Sequence, residues 1–134
     1  MKGVKLISRE EAVKRAEHIA EEYGAIYGLN FRIKRRFVPL EKVFPTQAEL
    51  SEEKLLVVLQ EIKHGYDAPL IVIPYGGSYY LLDGHHRAFA LRELGFREAE
   101  ALVLVPDSPI VLGVVRTARK MGMKKLEDMK IRRG

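Results

Sequence analysis

The chain has 134 residues, of which 47% are hydrophobic and 31% charged, and its 23 Lys and Arg against 18 Asp and Glu give a formal net charge of +5. That length builds one domain with its own core, and the absence of cysteine excludes thiol catalysis, dithiol redox chemistry, a disulfide framework and a cysteine zinc site. No apolar run approaches the ~18 residues of a membrane span. The opening run Met1 to Glu17 turns acidic and amphipathic, so no signal peptide is expected and the cytoplasm is the default compartment.

Ser8 with Glu11 three residues on reads as a capping box. Ala12, Ala16, Ile19, Ala20 and Tyr23 follow at helical spacing, which predicts a helix over 9–23 closing at Gly24. Phe31 to Val38 begins by alternating apolar and basic residues, the pattern of a strand with one wet face. Pro39 turns the chain, and Pro45-Thr46 blocks a long helix. Ser51, backed by Glu52 and Glu53, caps a second helix reaching about Lys63. Leu70 to Ile73 and Tyr79 to Leu82 are the strands of a hairpin joined by Pro74-Tyr75-Gly76-Gly77-Ser78. The Gly76-Gly77 pair lacks the Gly-Lys-Ser/Thr ending of a phosphate loop and is a turn.

Asp83-Gly84-His85-His86-Arg87 then falls between a strand and a helix from Ala88 to Leu94, which Gly95 ends. Ala101 to Val105 is a further strand and Pro106-Asp107-Ser108-Pro109 a turn. Two closing helices are predicted, one from Ile110 to Met121 and one around 124–129. Helices and strands mixed in this order make the class α+β. The expected divisions are an N-terminal helical extension over 1–30, a core over 31–106 and basic C-terminal helices over 107–134.

The chemistry concentrates in Asp83-Gly84-His85-His86-Arg87. A glycine at a strand-to-helix junction allows a tight turn and close approach of a ligand to the backbone. The free N–H groups of the first helical turn favour an anion there. Arg87 adds a planar fork for phosphate oxygens, and His85 and His86 can donate further hydrogen bonds or become charged. Asp83 can hold Mg²⁺ or take a proton from an attacking hydroxyl, so a cradle, a cation and a base stand together as phosphoryl transfer requires. Blander roles exist for each residue: Asp83 as a helix cap, His85 as a buried hydrogen-bonding residue, Arg87 as a surface partner of Glu93 or Glu98. Adjacent histidines on a helix point about 100° apart and do not readily share one ion.

The positive charge is confined to two places. Residues 32–36 carry four basic groups and no acid, and residues 116–134 carry eight basic groups against two acids, whereas residues 37–115 are net acidic. Arg32, Lys34, Arg35 and Arg36, with Lys124 and Lys125 in the tail, would attract nucleic acid or nucleotides, or would form a solvated surface. The tail has no interleaved aromatic residues for base stacking. One Asn and two Gln beside so many charges is a balance met in thermophile proteins.

Residues 36–105 resemble the ParB/sulfiredoxin superfamily. The likeness is carried by Phe37-Val38-Pro39-Leu40-Glu41-Lys42-Val43, the helix 51–63, Ile71-Val72-Ile73 and Tyr80 through Ala88. It implies a small mixed sheet flanked by helices, with a nucleotide bound at a Gly-x-x-Arg loop. Sulfiredoxins place a catalytic cysteine where this chain has His85, so their reductase chemistry is not expected. ParB proteins usually read Gly-Glu-Arg-Arg where this chain reads Gly84-His85-His86-Arg87. The wording Asp-Gly-His-His-Arg is similar to that of archaeal ParB-like free-serine kinases.

That kinship implies ATP or ADP, with CTP as the ParB alternative, together with Mg²⁺ and a small-molecule acceptor. It also implies catalytic roles for Asp83, His85 and a carboxylate before the long helix, where Gln47 stands and Glu49 follows two residues later. Gly84, His85, His86 and Arg87 would hold the phosphates. A nucleotide-dependent phosphotransferase or nucleotide hydrolase is therefore the leading expectation. A DNA-associated ParB-like or nuclease-like module is the alternative.

Overall fold

The computed structural model describes residues 3–134. Helix α1 (Arg9–Tyr27) starts at the expected capping box: the Glu11 N–H donates to the Ser8 hydroxyl at 3.1 Å, and the Ser8 N–H donates to the Glu11 carboxylate at 2.8 Å. It does not close at Gly24 but continues to Tyr27 and ends at Gly28, whose φ of 69° only glycine adopts freely. Gly24 stays helical because the returning chain passes over it. A Cβ there would lie 2.8 Å from the Leu29 carbonyl oxygen.

Strand β1 (Phe31–Pro39) follows, then a 3₁₀ turn at Leu40–Lys42 and the short strands β2 (Val43–Phe44) and β3 (Glu49–Ser51). Helix α2 (Glu52–Lys63) begins at the predicted cap, the Ser51 hydroxyl accepting from the Lys54 N–H. The hairpin β4 (Leu70–Tyr75) and β5 (Ser78–Asp83) turns at Gly76-Gly77, where φ is 61° and 81°. Helix α3 (His85–Glu93), strand β6 (Glu98–Pro106), helix α4 (Gly113–Lys120) and strand β7 (Lys130–Arg132) complete the chain.

Two of the closing elements differ from expectation. Leu112 is buried in extended conformation, so α4 begins only at Gly113. In place of a second helix there is a 3₁₀ turn at Leu126–Asp128 and then β7. The Asp128 carboxylate takes the Lys124 and Lys125 N–H groups at 2.9 and 3.1 Å, and Met123, Leu126 and Met129 bury their side chains at a spacing of three. That spacing suits a 3₁₀ turn rather than an α-helix. The Lys130 N–H then reaches the Ala48 carbonyl, which draws β7 beside β3 in parallel.

The main sheet has the order β1-β6-β4-β5-β2 and is mixed: β1 with β6 and β4 with β5 are antiparallel, β4 with β6 and β5 with β2 parallel. Central β4 is covered on both faces, and Leu70, Ile71, Val72 and Ile73 are all buried. Because successive strand residues face opposite ways, Ile71 packs with Leu102, Leu104 and Ala16 of α1, while Leu70 and Val72 join the larger core built with α2, α3 and α4. The buried residues of α1 are only Ala12 and Ala16, small enough to let the helix lie close on its face of the sheet. The α+β class and the mixed sheet flanked by helices are as the sequence implied. Among the described residues no helix is long and apolar enough to cross a membrane.

A Gly24→Ala substitution separates two opposing effects. Helix propensity alone would stabilise the variant by about 1 kcal/mol. The contact with the Leu29 carbonyl outweighs it, and urea denaturation is expected to show a net loss of about 1 kcal/mol or more. A gain in stability would contradict this packing of the α1 terminus.

Candidate functional site

Strand β5 ends at Asp83 and α3 begins at His85, with Gly84 between them at φ 98°. Only glycine fits: a Cβ on Gly84 would lie 2.8 Å from Arg87 Nη2 and 3.0 Å from Leu70 Cδ2. The first bond of α3 runs from the Ala88 N–H to the Gly84 carbonyl, and no side chain caps the helix. Asp83 is therefore not its cap. The N–H groups of the first turn are left pointing at a cavity of about 200 Å³.

The two histidines do something the sequence did not announce. His85 Nε2 accepts the Thr46 N–H at 3.0 Å, and His86 Nε2 accepts the Ser51 N–H at 3.0 Å. Adjacent side chains diverging from one helix thus take hold of two points five residues apart on a single segment. The Thr46 hydroxyl donates to the Leu81 carbonyl at 2.6 Å and fastens the same segment to β5. Each accepting Nε2 must be unprotonated, so each ring carries its proton on Nδ1. Burial pushes His85 down to about 4. His86 is also pushed down to about 4, by burial first and then by Lys54 and Arg87. Both rings are neutral, with Nε2 tied to backbone N–H groups as an acceptor and the Nδ1–H left as the donor each ring retains.

Arg87 is more than nine-tenths buried. Its Nη2 donates to the Pro69 carbonyl at 3.0 Å and lies 3.6 Å from Asp83 Oδ2, while its Nε has no partner. It pairs with neither Glu93 nor Glu98. Asp83 Oδ2 is also 3.2 Å from Arg15 Nη1 of α1. Gln47 lines the cavity, its amide nitrogen donating to the Glu49 carbonyl at 2.8 Å. The Glu49 carboxylate does not line it; that group is exposed and faces Arg132 Nε at 3.9 Å, so the second carboxylate expected beside Asp83 is absent from the cavity.

Three lining cations lay outside the sequence reading: Lys5, Arg15 and Lys54. Lys54 had a faint signal, a cation in the first turn of α2 where the helix dipole favours acids. Lys5 and Arg15 had none, because only the tertiary fold brings α1 to Asp83. With both histidines neutral, Lys5, Arg15, Lys54 and Arg87 face Asp83 alone. Among the described residues the lining carries an excess of three positive charges. A single carboxylate shared by two guanidiniums does not fit a protein-held Mg²⁺, and among the described residues no three His, Asp or Glu side chains cluster as metal ligands. A divalent ion at Asp83 would have to draw its other ligands from a bound phosphate.

The basic clusters do not join. Arg32, Lys34, Arg35 and Arg36 lie on β1 at one edge of the sheet, with Arg35 held by Glu100 at 2.9 Å. Lys124 lines a hollow with Phe44 and Tyr80 at the opposite edge, and the backbone of Lys125 is fixed by Asp128.

No family model matches the chain. Over 120 residues it is 37% identical to the uncharacterized protein MJ0188 of Methanocaldococcus jannaschii, a match covering 88% of this chain and 45% of that protein. Over 71 residues it is 31% identical to the ATP-dependent L-serine kinase of Staphylothermus marinus, covering 50% of this chain and 28% of the kinase. The chain therefore spans less than half the length of these curated relatives. Among solved structures, protein Atu1540 from Agrobacterium tumefaciens superposes with a TM-score of 0.59 at 15% identity, over 75% of this chain and 63% of that one. Structural neighbours also include a sulfiredoxin from Arabidopsis thaliana (TM-score 0.45, 27% identity, 52% of this chain and 83% of that one) and a Pnob8-like ParB-N domain (TM-score 0.47, 21% identity, 57% and 31%).

The fold, a mixed sheet flanked by helices, is shared with Atu1540. The glycine-to-arginine loop sits at the start of α3, and the cavity opens on its amino end.

The histidine contacts make stability depend on pH. Both native values lie below the ordinary 6.5. As pH falls from 6.5 toward 4 the unfolded chain therefore binds protons that the native state refuses, and stability is lost across that window. For a fully buried ring such as His85 the shift corresponds to roughly 3 kcal/mol. Thermal melts from pH 8 to 4 are expected to show a fall beginning near pH 6.5, above the carboxylate range. His85→Gln, which retains an acceptor, is expected to make the fall shallower, with the part due to His86 remaining, whereas an unchanged slope in that variant would contradict the assignment.

Proposed function

We propose that the chain binds an adenine nucleotide through its phosphates at the amino end of α3 and transfers the terminal phosphoryl group to a small hydroxyl-bearing acceptor. The observation that carries this reading is the cavity: uncapped helix N–H groups and four cations surround one carboxylate, Asp83. Phosphoryl transfer asks the protein for positioning, neutralisation of phosphate charge and a placed base, and little covalent chemistry. The cavity is smaller than the ~300–1,000 Å³ common for whole ligands. It therefore takes the phosphates and leaves the nucleoside outside. The likeness to the ATP-dependent L-serine kinases of Staphylothermus marinus and Desulfurococcus mucosus, at 31% and 32% identity over part of each, supports this reading.

In the proposed reaction the acceptor oxygen forms a bond to the terminal phosphorus as the bond from that phosphorus to its bridging oxygen breaks. The hydroxyl proton passes to Asp83, and the shortened nucleotide leaves with the bridging oxygen. Arg87 and the α3 N–H groups hold the phosphates, while His85 and His86 keep the Thr46 to Ser51 segment in place. Gln47, at the cavity wall, is neutral and is not a second base.

Incubation with ATP or ADP and a panel of hydroxyl acceptors that includes L-serine, followed by phosphorus NMR, tests the reading. Asp83→Asn is expected to lower turnover by about 100-fold or more, the usual contribution of a general base, with nucleotide affinity undiminished. Turnover at the wild-type rate in that variant would overturn the role of Asp83.

A further inference from the structure

Helix α1 lies outside residues 36–105, yet it reaches into the cavity. The run before it supplies Lys5 and Ile7 to the wall, and the Tyr66 hydroxyl fixes that run by donating to the Ile7 carbonyl at 2.6 Å. Arg9 is bonded to Glu100 and lies 3.5 Å from Asp67, so the start of α1 is fastened on a second side. Arg15, in the second turn, is thereby presented to Asp83.

The four lining cations are not equivalent. Arg87 is buried and committed to the Pro69 carbonyl, with its Nε unpartnered inside the wall. Lys5 and Lys54 make no ion pair among the described residues. Arg15 alone combines a carboxylate partner with freedom to move: its side chain is 48% exposed and meets Asp83 by one nitrogen at 3.2 Å. A half-exposed, single-point ion pair of this kind contributes little and exchanges readily. A phosphate offers the same guanidinium a bidentate partner of higher charge.

We propose that Arg15 is a latch on the catalytic carboxylate, exchanging Asp83 for the terminal phosphate of a nucleoside di- or triphosphate. The exchange releases Asp83 Oδ2 toward the acceptor hydroxyl only when a transferable phosphate is in place. It also makes Arg15 discriminate a terminal phosphate beyond the first. The inference rests on the phosphate-site reading above and adds α1 to it as the element that couples nucleotide binding to the base.

Calorimetric titration of the chain with ADP and with AMP tests it, using wild type, Arg15→Gln, Asp83→Asn and the double variant. Losing a charged hydrogen-bonding partner is expected to weaken ADP binding roughly tenfold or more in Arg15→Gln, with AMP changed much less. The melting temperature should stay near that of wild type, because the pair is exposed. Asp83→Asn should tighten ADP binding more when Arg15 is present than when it is Gln, since the loss of the carboxylate's charge and the loosening of Arg87 are common to both backgrounds and only the former also frees Arg15. Equal losses for ADP and AMP, no loss for ADP, or the same tightening in both backgrounds would overturn the latch while leaving the phosphate site standing. Failure of wild type to bind either nucleotide would overturn the phosphate site and the latch together.

Discussion

Two neutral imidazoles hold the Thr46 to Ser51 segment against the start of α3, and the site depends on that attachment. Burial removes the charge from His85 and His86, a neutral ring leaves Nε2 free to accept, and the acceptors are met by the Thr46 and Ser51 N–H groups. Each step requires the one before it. A protonated ring would set a donor against a donor, at a cost of several kcal/mol for the buried His85 and less for the half-buried His86. The result is a segment stapled at both ends, with Gln47 directed to the cavity, Lys54 one turn beyond the second staple and β3 aligned for β7.

The electrostatics follow from the same constraint. Histidines beside a phosphate loop look like phosphate ligands, but here the positive field comes from Lys5, Arg15, Lys54 and Arg87, drawn from four separate parts of the chain. Arg87 is part of the wall as much as part of the site, since its guanidinium lies 2.8 Å from where a side chain at residue 84 would begin and donates to the Pro69 carbonyl. The half-exposed guanidinium of Arg15 is on α1. That helix covers the second face of the sheet through Ala16 and at the same time brings Arg15 to Asp83, so packing and site chemistry share one element.

Much of this was legible in the sequence because the signals were local. The capping box at Ser8 and Glu11, the cap at Ser51, the Gly76-Gly77 turn and the strand-glycine-helix junction at Gly84 each depend on a few neighbouring residues, and each stands where expected. What escaped was set by distant partners. Gly24 continues a helix because Leu29 folds back over it, Asp128 ends the chain in a 3₁₀ turn and a strand, and Glu49 faces Arg132 of β7 rather than the cavity. The histidines were found by motif, but not their hold on the Thr46 to Ser51 segment. A neutral imidazole has one donor and one acceptor nitrogen, and only the two backbone N–H groups opposite show which nitrogen accepts.

The most direct test is a crystal structure of the chain with ADP. The diphosphate is expected at the amino end of α3, within hydrogen-bonding distance of its first N–H groups and of Lys54 and Arg15, with the His85–Thr46 and His86–Ser51 bonds unchanged. Phosphates bound elsewhere on the surface, or histidines that leave Thr46 and Ser51 to take the phosphates themselves, would contradict that expectation.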